Sequence, residues 1–454
     1  MKLTTINPTT GAPLRSYPMF SRARVESALA RSHAAFGPWA GRGFPARARH
    51  MMALSGLLQS RSEALSRLAT LEMGKPIAES RAEVAKCRTV CAYYARHAQR
   101  FLAPEHPAGA PRGARVVYEP MGPVLAVMPW NFPFWQVIRA AVPALMAGNT
   151  VLLKHAANVT GCALALERLF RAAGFPRGVF QVLVIPVERT QELVADPRIS
   201  GVTLTGSTEA GRIVAAAAGA ALKKGVYELG GSDPYLILRD ADIARAAAVC
   251  ARARLGNSGQ SCIAGKRFIV VRSVQARFER AFAAEVAAWR AGPPLEPDSR
   301  IGPLARRDLR DKLHRQVQAS VRRGARVVLG GRVPPGPGNF YPPTILTGVR
   351  PGMPAYDEEL FGPVASVIGV RDEAEAIAVA NDTPYGLGAA VFTRSRRIAA
   401  RVAARLTAGA VFANDFVRSD PTLPFGGTKQ SGYGRELGPH GIREFTQVKS
   451  LCLG

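Results

Sequence analysis

From residue 124 onward, short apolar segments and amphipathic stretches take turns along the chain, and this alternation restricts the fold more than any other feature. Strands separated by helices pair most simply as a mostly parallel sheet with helices on its faces. The spacing predicts strands over 124–128, 150–154, 179–185, 201–205 and 226–229, with helices over 134–146 and 161–173. A break at Gly230-Gly231 precedes a second series. There the pattern predicts strands over 234–238, 267–271, 327–329, 364–370, 389–392 and 409–412. Helices are expected over 243–255, 274–290, 308–323 and 374–381. Two α/β lobes meeting near residue 230 is the simplest parse, and 454 residues are too many for one compact core.

The first hundred residues read instead as helical, over 22–40, 47–72 and 79–101, with a break at Met73-Gly74-Lys75-Pro76. A Pro/Gly-rich stretch over 103–113 leads into an alternating, exposed strand near 115–120. Sixty Lys and Arg against 33 Asp and Glu give a formal net charge of +27. A nucleic-acid partner calls for basic stripes interleaved with aromatics. Here the basic residues are dispersed, so the charge reads as solvated helix faces and as a field that draws in anionic small molecules. No apolar run reaches the ~18 residues of a membrane span, and the N-terminus lacks a secretory core. Six unevenly scattered cysteines fit reduced thiols, so a cytoplasmic setting is expected.

Several residues sit where open α/β sheets bind ligands, at the C-terminal edges of strands. Cys262, in Gly259-Gln260-Ser261-Cys262, follows a helix that ends in a Gly/Asn/Ser loop, where free backbone N–H groups can stabilise a thiolate. Taken alone, a free cysteine is more often a small core residue. Glu228 ends a strand beside two glycines, positioned as a general base or as a surface ion pair. Asn131, between Pro129 and Pro133, lies in a stiff loop where its amide can donate to an oxyanion or satisfy the loop itself. Lys154 closes a strand at the height of a ribose or phosphate, and Gly206-Ser207 opens a helix whose N-terminus suits pyrophosphate. The G-x-G-x-x-G fingerprint is missing, and no metal site is evident, since Cys87 and Cys91 have no His pair nearby.

Order and wording together are far more specific. PWNFPFWQ at 129–136, LTGS at 204–207, ELGGSDP at 228–234, GQSCIA at 259–264, EELFGPV at 358–364 and PFGGTKQSGYGRE at 424–436 occur in one chain. The sequence resembles the aldehyde dehydrogenase superfamily over essentially its whole length, and within it the bacterial succinate-semialdehyde dehydrogenases. The resemblance implies an α/β aldehyde dehydrogenase fold: a Rossmann-like cofactor domain (1–104 and 124–229), an α/β catalytic domain (230–430) and a small β oligomerisation arm (105–123 and 431–454). It implies Cys262 as nucleophile, Asn131 as oxyanion donor and Glu228 as the base that activates water. Trp130, Lys154, Ala157, Gly206, Ser207, Leu229, Glu359 and Phe361 then fall at cofactor contacts. Arg139, with Trp135 and Ser419, is expected to hold the distal carboxylate of a semialdehyde acid, and Arg418 is a second candidate cation. Ala157 stands where many NAD-preferring relatives carry a Glu that repels a 2′-phosphate, so NADP or NAD is expected, with a lean to NADP. The implied partners are a small aldehyde and further copies of the chain, as a homodimer or dimer of dimers, with no nucleic acid or membrane. Rival readings are a thiol hydrolase on Cys262, a basic binding protein on a decayed scaffold, and the same chemistry on another aldehyde.

Overall fold

The structure, a computed structural model, describes residues 1–453; Gly454, the last residue of the expected arm, lies outside them. Two sheets dominate. The first has six strands in the order Gly432–Tyr433, Lys224–Glu228, Gly201–Thr205, Pro123–Met128, Thr150–His155 and Phe180–Val182, parallel except for its first strand. The second has seven, in the order Arg326–Leu329, Thr344–Thr347, Val364–Val370, Gly265–Val271, Asp233–Ile237, Gly388–Phe392 and Ala410–Ala413, with the first pair antiparallel. Residues Val124, Leu125, Val151, Leu152 and Ile269, Val270 are fully buried because helices cover both faces, which is why these strands read as unbroken apolar runs.

Helix placement depends on two glutamates in the helical N-terminal segment. Glu83, on the helix Ile77–Phe101, accepts from the Phe134 and Trp135 amides at 2.7 and 2.9 Å. These open the helix Trp135–Ala147, whose first turn has no side-chain cap of its own. The same carboxylate forms a buried ion pair with Lys75, whose ammonium lies 4.0 Å from the centroid of the Phe132 ring. Glu72 does the equivalent work for the helix Thr160–Ala172, accepting from the Gly161 and Cys162 amides at 3.0 and 2.9 Å. A side chain at Gly161 would meet Glu72 Oε1 at 2.5 Å, so this close approach requires glycine.

Four stretches differ from the sequence-based expectation. Residues 47–72 form two helices, Phe44–Ser60 and Ser62–Met73, because Arg61 leaves helical geometry (φ −108°, ψ 14°) where the Ser60 hydroxyl bonds back to Leu57 O. The N-terminus forms a hairpin, Lys2–Ile6 with Pro13–Pro18, before the first helix. Thr344–Thr347 is an unforeseen strand whose fully buried Ile345 and Leu346 pair with Val364–Val370. Finally, only Thr446–Cys452 of the expected C-terminal arm pairs with Ala114–Pro120, running antiparallel from Thr446↔Pro120 to Cys452↔Ala114. Gly432–Tyr433 instead extends the six-stranded sheet, and Gly438–Glu444 is a helix packed on Ile77–Phe101 and Trp135–Ala147. Gly432 (φ 110°) comes so close to the neighbouring strand that a Cβ would lie 1.9 Å from Tyr227 O.

Glu83→Ala is expected to strand the Lys75 ammonium and uncap the helix after the Asn131 loop. Breaking a buried pair this way costs about 3–5 kcal/mol, which differential scanning calorimetry reads as a melting temperature several degrees lower.

Candidate active site

The helix Ile243–Leu255 stops at Gly256, and Asn257, Ser258 and Gly259 follow with φ of 57°, 53° and 73°. Two consecutive non-glycine residues in the left-handed region store strain, and a dense set of bonds holds them there. Ser258 Oγ donates to Gly302 O at 3.1 Å, and Asn257 Nδ2 donates to Asn131 O and Gln260 O at 2.9 and 3.0 Å. Asn131 Nδ2 donates to the same Gln260 carbonyl at 3.1 Å. The loop that delivers Cys262 and the loop that delivers Asn131 are therefore stitched through shared polar atoms. At Gly259 a side chain would lie 2.4 Å from the backbone of Gly362, so glycine is required.

The Asn131 loop is held from below by His155, the last residue of Thr150–His155. His155 Nε2 lies 2.9 Å from Pro133 O and Nδ1 lies 3.1 Å from Met128 O, so the ring ties both ends of the loop together. Burial pushes its pKa down to about 4, which keeps the ring neutral at neutral pH.

Glu228 ends its strand in a fully enclosed spot, and neither carboxyl oxygen has a hydrogen-bond partner among the described residues. A Cβ on Gly426 would lie 2.7 Å from Glu228 Oε1. Burial, then the second buried carboxyl of Glu436, raise its pKa well above the ordinary value, while Arg139 and Arg435 pull it back. The Cys262 thiol is pushed up to about 12 by burial, against the pull of Arg139 and Lys266. The thiol is thus protonated in the resting site, and burial biases the Glu228 carboxyl toward its protonated form. The Cys262 carbonyl accepts from Lys266 Nζ at 2.7 Å, and Lys266 also lies 3.3 Å from Glu359 Oε1. The Cys262 amide has no acceptor among the described residues, which leaves it free for an incoming oxygen.

Cys262 borders two cavities. The first, of about 440 Å³, runs past Trp130, Gly206, Ser207, Leu229, Glu359 and Phe361. Trp130 and Phe361 meet edge-on across it at 5.7 Å. Ser207 caps the helix Thr208–Ala220 through a 3.2 Å bond from the Ala210 amide, leaving earlier amides of that turn turned to the cleft. Beyond it opens an outer cleft of about 1090 Å³ that includes Lys154 and Ala157. Leu3 and Ile6 of the unforeseen hairpin line this outer cleft too. Lys154 is buried and forms no ion pair among the described residues, and burial lowers its pKa despite Glu188. A desolvated ammonium without a partner fits an anionic or hydroxyl-rich ligand. A nicotinamide dinucleotide meets that need, and Cys262 lines the first of these cavities.

The second cavity, of about 280 Å³, lies on the other side of Cys262 and is lined by Phe132, Trp135, Arg139, Arg418 and Ser419. Arg139 reaches it, yet its guanidinium is ion-paired with buried Glu436, bonded to Thr205 Oγ1 at 3.3 Å and stacked 4.8 Å from the Phe425 ring centroid. Arg418 is paired with Asp415 at 2.5 Å. Sequence reading missed three residues here: His155, Glu436 and Lys86. Glu436 ends the quoted motif at 424–436, whereas His155 lies in none of the motifs and Lys86 on the helix Ile77–Phe101 reads as an ordinary surface lysine.

With Asn131 expected as the oxyanion donor for an adduct on Cys262, Asn131→Ala is expected to lower turnover about 10²–10³-fold. Steady-state rates checked against an unchanged circular dichroism spectrum measure this.

A model of the aldehyde dehydrogenase family matches residues 1–451. The chain is 44% identical over 446 residues to the succinate semialdehyde dehydrogenase [NAD(P)+] Sad of Escherichia coli K12, covering 98% of this chain and 96% of that one. It is 46% identical over 453 residues to a probable succinate-semialdehyde dehydrogenase [NADP(+)] of Synechocystis, covering all of both chains. The crystal structure of the succinic semialdehyde dehydrogenase of Streptococcus pyogenes with NADP+ superposes with a TM-score of 0.96 at 34% identity over 99% of each chain. With its motifs, two sheets and thiol-centred cleft, the chain belongs to the aldehyde dehydrogenase family.

Proposed function

We propose that this enzyme oxidises succinate semialdehyde to succinate, with NADP or NAD as the oxidant and NADP favoured. Cys262 gives up its thiol proton to solvent in the cleft as Sγ attacks the aldehyde carbon, giving a thiohemiacetal whose oxyanion is met by the Asn131 amide and the free Cys262 N–H. A bound nicotinamide supplies the hydride acceptor. Glu359, held by Lys266 and by a 3.1 Å bond from the Gly231 amide, lies beside Phe361 to position its ribose. Loss of hydride from the adduct carbon leaves a thioester. Glu228 then takes a proton from water as the water attacks, and the Cys262 thiol leaves with the acid released.

The observation that carries the substrate reading is the second cavity. Phe132, Trp135 and Phe425 make it apolar, while Lys86, Arg139 and Arg418 turn cations toward it. Such a lining suits a short carbon chain ending in a carboxylate. The cofactor preference rests on Ala157, which offers neither repulsion nor a hydrogen bond to a 2′-phosphate beside Lys154. We also propose assembly through the Ala114–Pro120/Thr446–Cys452 arm, whose sheet leaves the outer edge of Thr446–Cys452 open and Val448 exposed.

The test follows reduced nicotinamide by absorbance with succinate semialdehyde and with butanal. Succinate semialdehyde is expected to be preferred by about 100-fold in kcat/KM, and equal use of butanal sinks the substrate reading while keeping the Cys262 chemistry. Glu228→Gln is expected to release one reduced nicotinamide per active site in a rapid burst and then stall at the thioester, which a rapid-quench measurement detects. In the native enzyme hydrolysis needs the Glu228 carboxylate, so the rate rises with pH through its raised pKa. Glu436→Gln removes a like charge, and the pH–rate profile is expected to move to lower pH.

A further inference from the structure

A buried ammonium is bonded to the backbone of the nucleophile itself. Lys266 is the second residue of the strand Gly265–Val271, and its side chain is 1% exposed. Gly265 before it lies so close to Tyr235 that a Cβ would come within 2.9 Å of the ring, which fixes where the strand begins. From there Lys266 Nζ donates back to two carbonyls, Ser261 O at 2.9 Å and Cys262 O at 2.7 Å. Residues 261–264 form a turn with Cys262 and Ile263 at its centre, closed by the Ala264 amide, which donates to Ser261 O at 3.2 Å. Lys266 therefore holds the peptides on both sides of Cys262. A trans peptide points its C=O and N–H in opposite directions. Fixing Ser261 O thus fixes the Cys262 N–H on the other side, where it has no acceptor among the described residues. The Cys262–Ile263 peptide is the one whose rotation interconverts turn types. Lys266 holds its oxygen against Gly231, where a Cβ would lie 2.7 Å from it.

We propose that Lys266 is a positioning residue for the reaction: it locks the turn around Cys262 so that the Cys262 N–H stays aimed at the oxyanion of the adduct. This rests on Cys262 being the nucleophile, as proposed above. Without the ammonium, the two peptides are free to rotate and turn a carbonyl toward the adduct in place of the N–H. An ammonium bonded to a carbonyl also polarises that peptide, which makes its N–H a stronger donor. Burial lowers the Lys266 pKa, Glu359 and Asp233 support its charge, and Arg254 opposes it. Glu359 lies 3.3 Å from Lys266 Nζ and accepts from the Gly231 amide at 3.1 Å. The same ammonium therefore joins the nucleophile's turn to a carboxylate on the wall of the first cavity.

The experiment compares two reactions of the Cys262 thiol, at one pH and without dinucleotide, in the full-length wild type, Lys266→Met and Lys266→Gln. One is acylation by p-nitrophenyl acetate, in which Sγ bonds to the acyl carbon through an oxyanion and nitrophenolate leaves. The other is alkylation by iodoacetamide, in which Sγ displaces iodide and no oxyanion forms. Both consume the thiolate, so their ratio isolates the oxyanion. In Lys266→Met the acylation rate is expected to fall at least about 100-fold and alkylation less than about tenfold. Lys266→Gln, whose amide is too short to hold both carbonyls, is expected to lower the ratio at least about fivefold, and it decides the matter if Lys266→Met does not fold. A lysine needed only for the thiolate or for folding would slow both reactions alike. An unchanged ratio in a folded variant therefore overturns the assignment and leaves the Cys262 reading standing. Reduced-nicotinamide formation that persists in Cys262→Ser overturns both.

Discussion

One guanidinium between two buried carboxyls sets the terms for the rest of this molecule. Arg139 pairs with Glu436 and lies close enough to Glu228 to pull its pKa down, in a region where all three side chains are shielded from water. Three charges of net −1 in a low-dielectric interior are costly, so the cluster favours holding a proton. The same surroundings bias Glu228 toward its protonated form until something alters them. The arrangement also explains why the chain doubles back at its end. Gly432 pairs with Glu228 across the sheet, and four residues later Glu436 arrives at Arg139.

The chemistry is concentrated where two parallel sheets turn their strand ends toward one another. The first contributes Asn131, Lys154, Ser207 and Glu228; the second contributes Asp233 and Lys266, which flank the Cys262 loop. Neither sheet alone makes a site. Their loops are stitched by Asn257, Gln260 and Asn131, so the relative placement of the Cys262 thiol and the Asn131 amide is decided by short polar bonds rather than by loop flexibility. Strain at Asn257 and Ser258 is tolerated because the same bonds hold it.

The parts of this architecture legible in the sequence share a physical cause. Strands buried on both faces, such as Gly201–Thr205 and Val364–Val370, are unbroken apolar runs and were readable to the residue. The N-terminal hairpin was not, because Lys2–Ile6 and Pro13–Pro18 are largely exposed and paired partly through Thr4 and Ser16 hydroxyls, leaving no apolar alternation. At the site, Cys262, Asn131 and Glu228 stand in motifs whose glycines and prolines mark special backbone geometry. Glu83, His155 and Lys86 carry no such mark. Their importance comes from what they meet across long sequence separations: 51 residues for Glu83 to Phe134, and 333 for Lys86 to Ser419. Nothing in the local pattern around Lys86 distinguishes a cavity cation from a solvated one.

Cys262 stands as a septum between two rooms, one leading past Ser207 to the outer cleft, the other past Trp135 to Ser419. The two inner rooms share Cys262 alone among their lining residues, so a change that reshapes the walls of one leaves those of the other intact.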